Sequence, residues 1–242
     1  MSWELIGPFL AVLVIAGAHI SLPWLQTRLG ERDAQFVSFV GGVAIGYVFL
    51  FLLPKIGDYT AAIVRREADD WEVLHYRLYM VALLGMLAYY LSDQLNVRKD
   101  ARRHIGIVVH VTMFALYNFS IGNLFVQVQR DGHMPYIFVG AVLAMHMLGV
   151  DNHLRHLYRE RFDNWVRWIF AAAVVAGWAT GMFYTLSTPT LAVLSAFVAG
   201  AILMTVMTEE LPERNTRRTW FFVGGIGLFT VMMMIVRSLD KA

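Results

Sequence analysis

The chain has 242 residues, 58% hydrophobic and 16% charged, with a formal charge of +2. Soluble domains run near a quarter charged, so a water-soluble globule is excluded, and the small net charge names no partner. The absence of cysteine excludes thiolate zinc sites, iron–sulfur clusters and disulfides, and no basic run interleaved with aromatics points to nucleic acid.

Apolar runs near twenty residues recur along the whole length, the signature of membrane-spanning helices. Eight are predicted, at about 3–26, 35–56, 73–95, 104–129, 136–158, 165–186, 191–211 and 220–237. They leave no room for a soluble domain, so residues 1–242 are expected to form one polytopic membrane domain. The opening MSWELIGPFL lacks the positive stretch of a cleavable signal, and the first helix is expected to be retained. "RREADDWE" and the basic "NVRKDARR" link the second, third and fourth helices, "RDGHMP" turns the chain into the fifth, and "STPT" opens the seventh.

Charge asymmetry gives orientation. The links after helices one, three, five and seven, with the residues flanking them, hold 13 of the 20 Lys and Arg residues. By the positive-inside rule they face the cytoplasm, which places both termini outside. Tryptophans Trp3, Trp24, Trp165, Trp168 and Trp220 fit interfacial belts.

An internal repeat runs through helices two and seven. "FVGGVAIGYVFLFLLP" from Phe39 aligns without a gap on "FVAGAILMTVMTEELP" from Phe197, matching Phe, Val, the second Gly, Leu and Pro. Two and seven differ by an odd number, so the copies are expected to cross the membrane in opposite directions. Inverted repeats mark transporters, with the substrate site near the midplane between the copies. Glycines such as Gly41, Gly42, Gly46, Gly181 and Gly200 are expected to let helix backbones approach closely.

These features together resemble the ZIP (Zrt-, Irt-like protein) metal transporters. "GGVAIGYVFLFLLPKI" is similar to that family's glycine-led second helix ending in Leu-Leu-Pro-Glu, and "AGAILMTVMTEELPE", ending in Glu210, Leu211, Pro212 and Glu213, is closer. The resemblance implies an all-α integral membrane fold of eight helices in a 3+2+3 arrangement, with helices one to three and six to eight as the inverted repeat. It also implies a metal site on helices four and five, each carrying a His-Asn-x-Pro-Glu-Gly pattern, and motion of one helix bundle against another. Zinc takes imidazole and carboxylate ligands, and His and Glu at i, i+4 share one helix face.

In this chain the helix-four motif reads "YNFSIG". Asn118 and Gly122 match, while Tyr117, Ser120 and Ile121 stand for histidine, proline and glutamate. The helix-five motif reads "HMLGVD". His146 matches, while Met147, Gly149 and Val150 stand for the amide or acid, proline and glutamate. Trp178 lies near the position of a further acidic ligand, and the family's histidine-rich loop is replaced by a basic one. With Ile121 and Val150 at the two glutamate positions, the centre is expected to lack the charge that offsets a desolvated divalent ion.

The remaining polar residues admit two readings each. Asn118 offers a carbonyl oxygen to a metal or a hydrogen bond across helices. Ser120, Asn123 and Gln127 admit the same pair, Asn123 and Gln127 at i, i+4 lining a passage. His110, two turns before Asn118, and His19, in helix one, are candidate ligands or proton relays, or hydrogen-bonded core histidines. In "HMLGVDNHLRH" the structural reading pairs Asp151 with Arg155 at i, i+4 and sets His153 and His156 at the cytoplasmic interface. The functional reading displaces the metal site onto His146, Asp151 and His153. Glu209 and Glu210 are expected at the solvated cytoplasmic end of helix seven, and the "VMMMIV" run is expected to face lipid or pack.

The candidate metal ligands are thus Asn118, His146, Asp151, His153 and His110. The expected function is a ZIP-like permease for a divalent cation of zinc type. The alternative is a non-transporting relative that binds partners, senses or assembles. No resident cofactor is expected, the metal being substrate, and the lipid bilayer is the expected surrounding. A homodimer or another membrane protein is the candidate protein partner, and a bacterial-type inner membrane the expected location. His110 and His146 could ligate haem, or His146, Asp151 and His153 a hydrolytic metal, but no further motif points to catalysis and an enzyme is not expected.

Overall fold

The computed structural model describes residues 3–67, 71–96, 103–130, 136–184, 186–212 and 216–239. Every element among them is helical. The α-helices are α1 (Trp3–Leu29), α2 (Asp33–Tyr47), α3 (Leu53–Glu67), α4 (Trp71–Asn96), α5 (Arg103–Arg130), α6 (Tyr136–Arg161), α7 (Arg167–Phe183), α8 (Thr188–Thr205) and α9 (Thr216–Leu239). Six described segments are long and apolar enough to cross a membrane, and Tyr76–Leu91 within α4 is a shorter apolar helix. One of the six, Phe138–Phe183, holds both α6 and α7 and is broken at Tyr158, whose φ of −150° and ψ of 60° are not helical.

Hydropathy placed the helices, and local chemistry set their ends. Ser187 caps α8 by accepting the Thr190 amide at 3.4 Å, with Pro189 in the first turn where its missing N–H costs nothing. The second predicted helix was expected to stop near Ile56 at its Leu-Pro pair. Instead the chain stays helical through Val48–Leu52, one π-helical turn, and on through α3 to Glu67. In this wide turn, just before Pro54, the Leu53 amide bonds back to the Val48 carbonyl.

The second copy of the repeat carries the same turn at the same place. Val206–Glu210 is π-helical, and the Leu211 amide reaches the Val206 carbonyl at 3.0 Å. With Phe39 aligned on Phe197, Val48–Leu52 falls on Val206–Glu210 and Pro54 on Pro212. The copies then part. Leu53 remains helical, whereas Leu211 is extended at ψ 133° and ends its helix, the usual conformation before proline.

Packing sorts the helices into two groups. In one, α5 packs on α7, and α1 on α6 and α7. In the other, α2 packs on α9, α8 on α4 and α3. The groups meet chiefly where α2 crosses α6 and α4 crosses α5.

Three of these pairs share one device. A Cβ at Gly42 would strike the Phe222 carbonyl oxygen at 2.0 Å, and one at Gly225 the Phe39 oxygen at 2.1 Å. Gly85 and Gly200 face the Phe197 and Ala82 oxygens in the same way, and Gly122 and Gly177 the Val174 and Phe119 oxygens. In each pair a glycine meets the carbonyl three residues before the partner's glycine. Only a missing side chain lets backbones approach so closely, which favours Cα–H···O contacts.

Away from these seams the surface is apolar. Leu83, Leu84, Val108, Leu116, Val231 and Met234 are exposed, as the surface of a protein in lipid should be. Of the methionine run, Met233 is buried and Met234 faces out.

Candidate functional site: a buried polar centre

Within this apolar frame, Asn118, His146, Asp151, His19 and Glu210 are all buried. Ionisable side chains inside a membrane bundle are costly, and so are functional candidates. They form two adjoining clusters on opposite sides of α6.

The first joins α1, α5 and α6. His19 Nδ1 lies 2.6 Å from Asp151 Oδ2, and His19 Nε2 lies 2.8 Å from Asn118 Oδ1. Asn118 is oriented by its own amide, which donates to the Phe114 carbonyl at 3.0 Å. Its oxygen therefore accepts from His19, and Nε2 carries a hydrogen. A second hydrogen must then lie between Nδ1 and the carboxyl, on Asp151 or on the ring. The pair is neutral overall either way, which makes it tolerable in an apolar interior. Phe170 closes the cluster with its ring 5.6 Å from the imidazole centre.

The second lies where the end of the α8 segment meets α6 and α2. His146 Nδ1 is 3.5 Å from Glu210 Oε1, and the Tyr117 ring stands edge-on to the imidazole at 6.4 Å. Neither His146 nitrogen, neither Glu210 oxygen nor the Tyr117 hydroxyl has a hydrogen-bond partner among the described residues. Glycines make the space. A Cβ at Gly149 would fall 2.2 Å from Glu210 Oε1, and one at Gly41 2.7 Å from Glu210 Cβ. Gly149 also lines a polar cleft of about 170 Å³ together with Asn152, His153, His156 and Arg218. The cleft therefore approaches the buried carboxylate with one glycine between.

The other copy of the repeat has no such feature. Leu52, the counterpart of Glu210, lines a small apolar cavity of about 30 Å³ with Tyr47, Ile121, Leu124 and Leu143. The described surroundings of Glu210 are thus polar, and those of its counterpart Leu52 are apolar.

Several expectations change. Glu210 is not solvated; it is fully buried, because Gly41 and Gly149 leave room for it. Asp151 does not pair with Arg155. It turns toward α1 and His19, while Arg155 Nε and Nη2 bond Asp163 at 2.7 and 2.9 Å, and Nη1 bonds Gln26. Nor do His146, Asp151 and His153 converge: the first faces Glu210, the second His19, and the third lines the cleft. Among the described residues no group of three or more His, Asp or Glu side chains is placed to hold a metal ion.

Ile121 and Val150 are buried and apolar, yet the centre still holds two carboxyl groups, from Asp151 and Glu210. Ser120 bonds back to the Leu116 carbonyl, and Asn123 reaches Thr180 at 3.4 Å. Trp178 packs its ring on Phe9 at 4.9 Å. The side chains of His110, Gln127 and Glu209 lie outside the described residues. The sequence signal for Glu210 was the repeat itself, which aligns this acid with a leucine in the middle of an apolar helix.

No protein-family model matches the chain, and no curated protein matches it significantly.

Proposed function

We propose that the chain is a ZIP-like permease: eight crossings in a bacterial-type inner membrane, both termini outside, moving a divalent cation along the seam between its two helix groups. The observation that carries this reading is Glu210. It is an ionisable side chain seated at the seam against two glycines, facing His146 from the opposite group, with Gly149 between it and a polar cleft.

The chemistry fits a cation that binds loosely. Carboxylate and imidazole are donors that divalent first-row metals accept. With only these two at hand, the ion keeps much of its hydration, which favours passage over storage. The matching π turns and the reciprocal glycine pairs support an inverted repeat, and the two helix groups give the motion its two bodies. The cleft lies on the side of the basic links, the side this reading assigns to the cytoplasm.

Reconstitution into liposomes holding a metal-sensitive dye tests the reading. Flux of Zn, Mn, Fe or Co is expected, slowed at least about tenfold by Glu210→Gln and His146→Ala at unchanged protein content. No flux of any of the four would overturn it.

The lack of a three-ligand group among the described residues and the apolar cavity lined by Leu52 and Ile121 favour a second reading, a non-transporting ZIP-fold protein that binds another membrane protein or a second copy of itself. That reading expects no flux, and a stable complex on crosslinking in the membrane.

A further inference from the structure

Glu210 and His146 stand at a spacing that a hydrogen bond does not account for. His146 Nδ1 and Glu210 Oε1 are 3.5 Å apart, beyond the roughly 2.7–3.2 Å of a good N–H···O bond. Neither side chain has a hydrogen-bond partner among the described residues, and both are buried. That is the arrangement of two donors that share an ion. At zinc's usual bond lengths, about 2.0–2.2 Å to imidazole nitrogen or carboxylate oxygen, and its tetrahedral angle, two donor atoms lie about 3.4 Å apart.

The surroundings favour positive charge at this point. Glu210 is the last helical residue of its segment, and Leu211 beyond it is extended. The closing carbonyls of a helix carry a partial charge of about −0.5, which adds to that of the carboxylate. The Tyr117 hydroxyl, buried and also without a hydrogen-bond partner, can hold a water on the ion's open side. Two protein donors make a weaker site than the three or four of a resident zinc, so occupancy follows the ion's concentration.

The two donors also sit on different bodies. His146 lies on α6, which packs with α1, whereas Glu210 ends the segment of α8, which packs with α3 and α4. An ion held by both must leave one of them before the helix groups can move apart.

We propose that Glu210 and His146 form a zinc clasp across the seam, which holds the two helix groups in this conformation while the ion is bound. The clasp rests on the reading of these two side chains as cation donors, and it adds regulation to that site. It does not require that the ion cross the membrane.

Double electron–electron resonance on the full chain in lipid nanodiscs tests it. The chain has no cysteine, so spin labels can be placed singly at Asn164→Cys, in the turn after α6, and Thr216→Cys, at the start of α9. Both positions are exposed, one in each helix group. Zinc at about a hundred times its Kd should shift the population about a hundredfold toward one joined distance, and EDTA should reverse the shift. Magnesium, which does not seek imidazole, should not replace zinc. Glu210→Gln and His146→Ala should each lose the response, and His153→Ala/His156→Ala, in the neighbouring cleft, should keep it. Identical distances in zinc and EDTA would overturn the clasp, and this comparison needs no variant at the site. So would a response that survives in Glu210→Gln and His146→Ala, or one that is lost with the cleft histidines. A zinc-dependent distance without flux in liposomes leaves the clasp standing and overturns only the permease reading; flux with no zinc-dependent distance does the reverse.

Discussion

His19 and Asp151, 132 positions apart in sequence, are joined by a 2.6 Å contact in the middle of the bundle. Because Asn118 takes the hydrogen on the other ring nitrogen, this contact has room for one shared hydrogen and no more. It ties α6 to α1 and, through Asn118, to α5, three helices of the same packing group.

The hydrogen count separates two substitutions at Asp151. In Asp151→Asn the new side-chain amide can donate to Nδ1 of His19 and keep the cluster intact, so this change should cost little. Asp151→Leu leaves the histidine buried without its partner and should cost about 3 kcal/mol or more, the scale for breaking a buried pair. Unfolding curves in detergent for the two variants, against the parent, read this directly. Equal losses would mean that the carboxylate charge, rather than the shared hydrogen, holds the pair.

Glu210 and Gly149 should behave as one unit. Gly149→Ala places a methyl group 2.2 Å from the carboxylate oxygen, so the side chain must leave its seat. A loss of about 1–3 kcal/mol is expected, typical of overpacking. In Glu210→Ala the clash is absent, and the same glycine change should then cost far less. A double-mutant cycle by thermal unfolding measures this coupling, and additive losses would show that Glu210 does not fill the space beside Gly149.

The helices and the repeat were legible because both are written locally. Apolar runs mark the helices, "STPT" marks a cap, and "FVGG…LLP" and "FVAG…ELP" can be aligned by eye. The site was less legible because its determinants are distant. Nothing near Glu210 announces that Gly41 and Gly149 on other helices will make room for it. A charged pair at a helix end ordinarily reads as solvated. Asp151 and Arg155 stand at i, i+4, a pairing that sequence displays, whereas the contact Asp151 makes is with His19 on α1. Helix two runs past its Leu-Pro pair although helix seven, with the same π turn, stops at its own, a difference that hydropathy does not display.

Arg155 holds the turn between α6 and α7 through two bonds to Asp163 and one to Gln26. The pair is partly exposed, at 13% and 30%, so Asp163→Asn should cost only about 1 kcal/mol. Its effect should shrink at 1 M salt, where the Debye length is about 3 Å. Arg155→Ala loses the Gln26 bond as well, so its larger effect should persist in salt. Thermal unfolding at low and high salt checks both.

The glycines divide into two classes, and alanine scanning should reproduce the division. At Gly42, Gly225, Gly85 and Gly200 a methyl group would lie 1.7 to 2.2 Å from a carbonyl oxygen of the neighbouring helix. Backbone cannot yield as a side chain tip can, so each alanine must push two helices apart and should destabilise by about 1–3 kcal/mol. At Gly57, Gly224 and Gly227 nothing lies within 4 Å. There the better helix propensity of alanine should leave stability unchanged or raise it by up to about 1 kcal/mol. Gly224 and Gly225 are adjacent and give the sharpest comparison. Equal effects at these two positions would mean that α9 does not meet α2 through the face that carries Gly225. If Gly42→Ala and Gly200→Ala, matched positions of the two copies, cost similar amounts, the repeat is symmetrical in energy as well as in form.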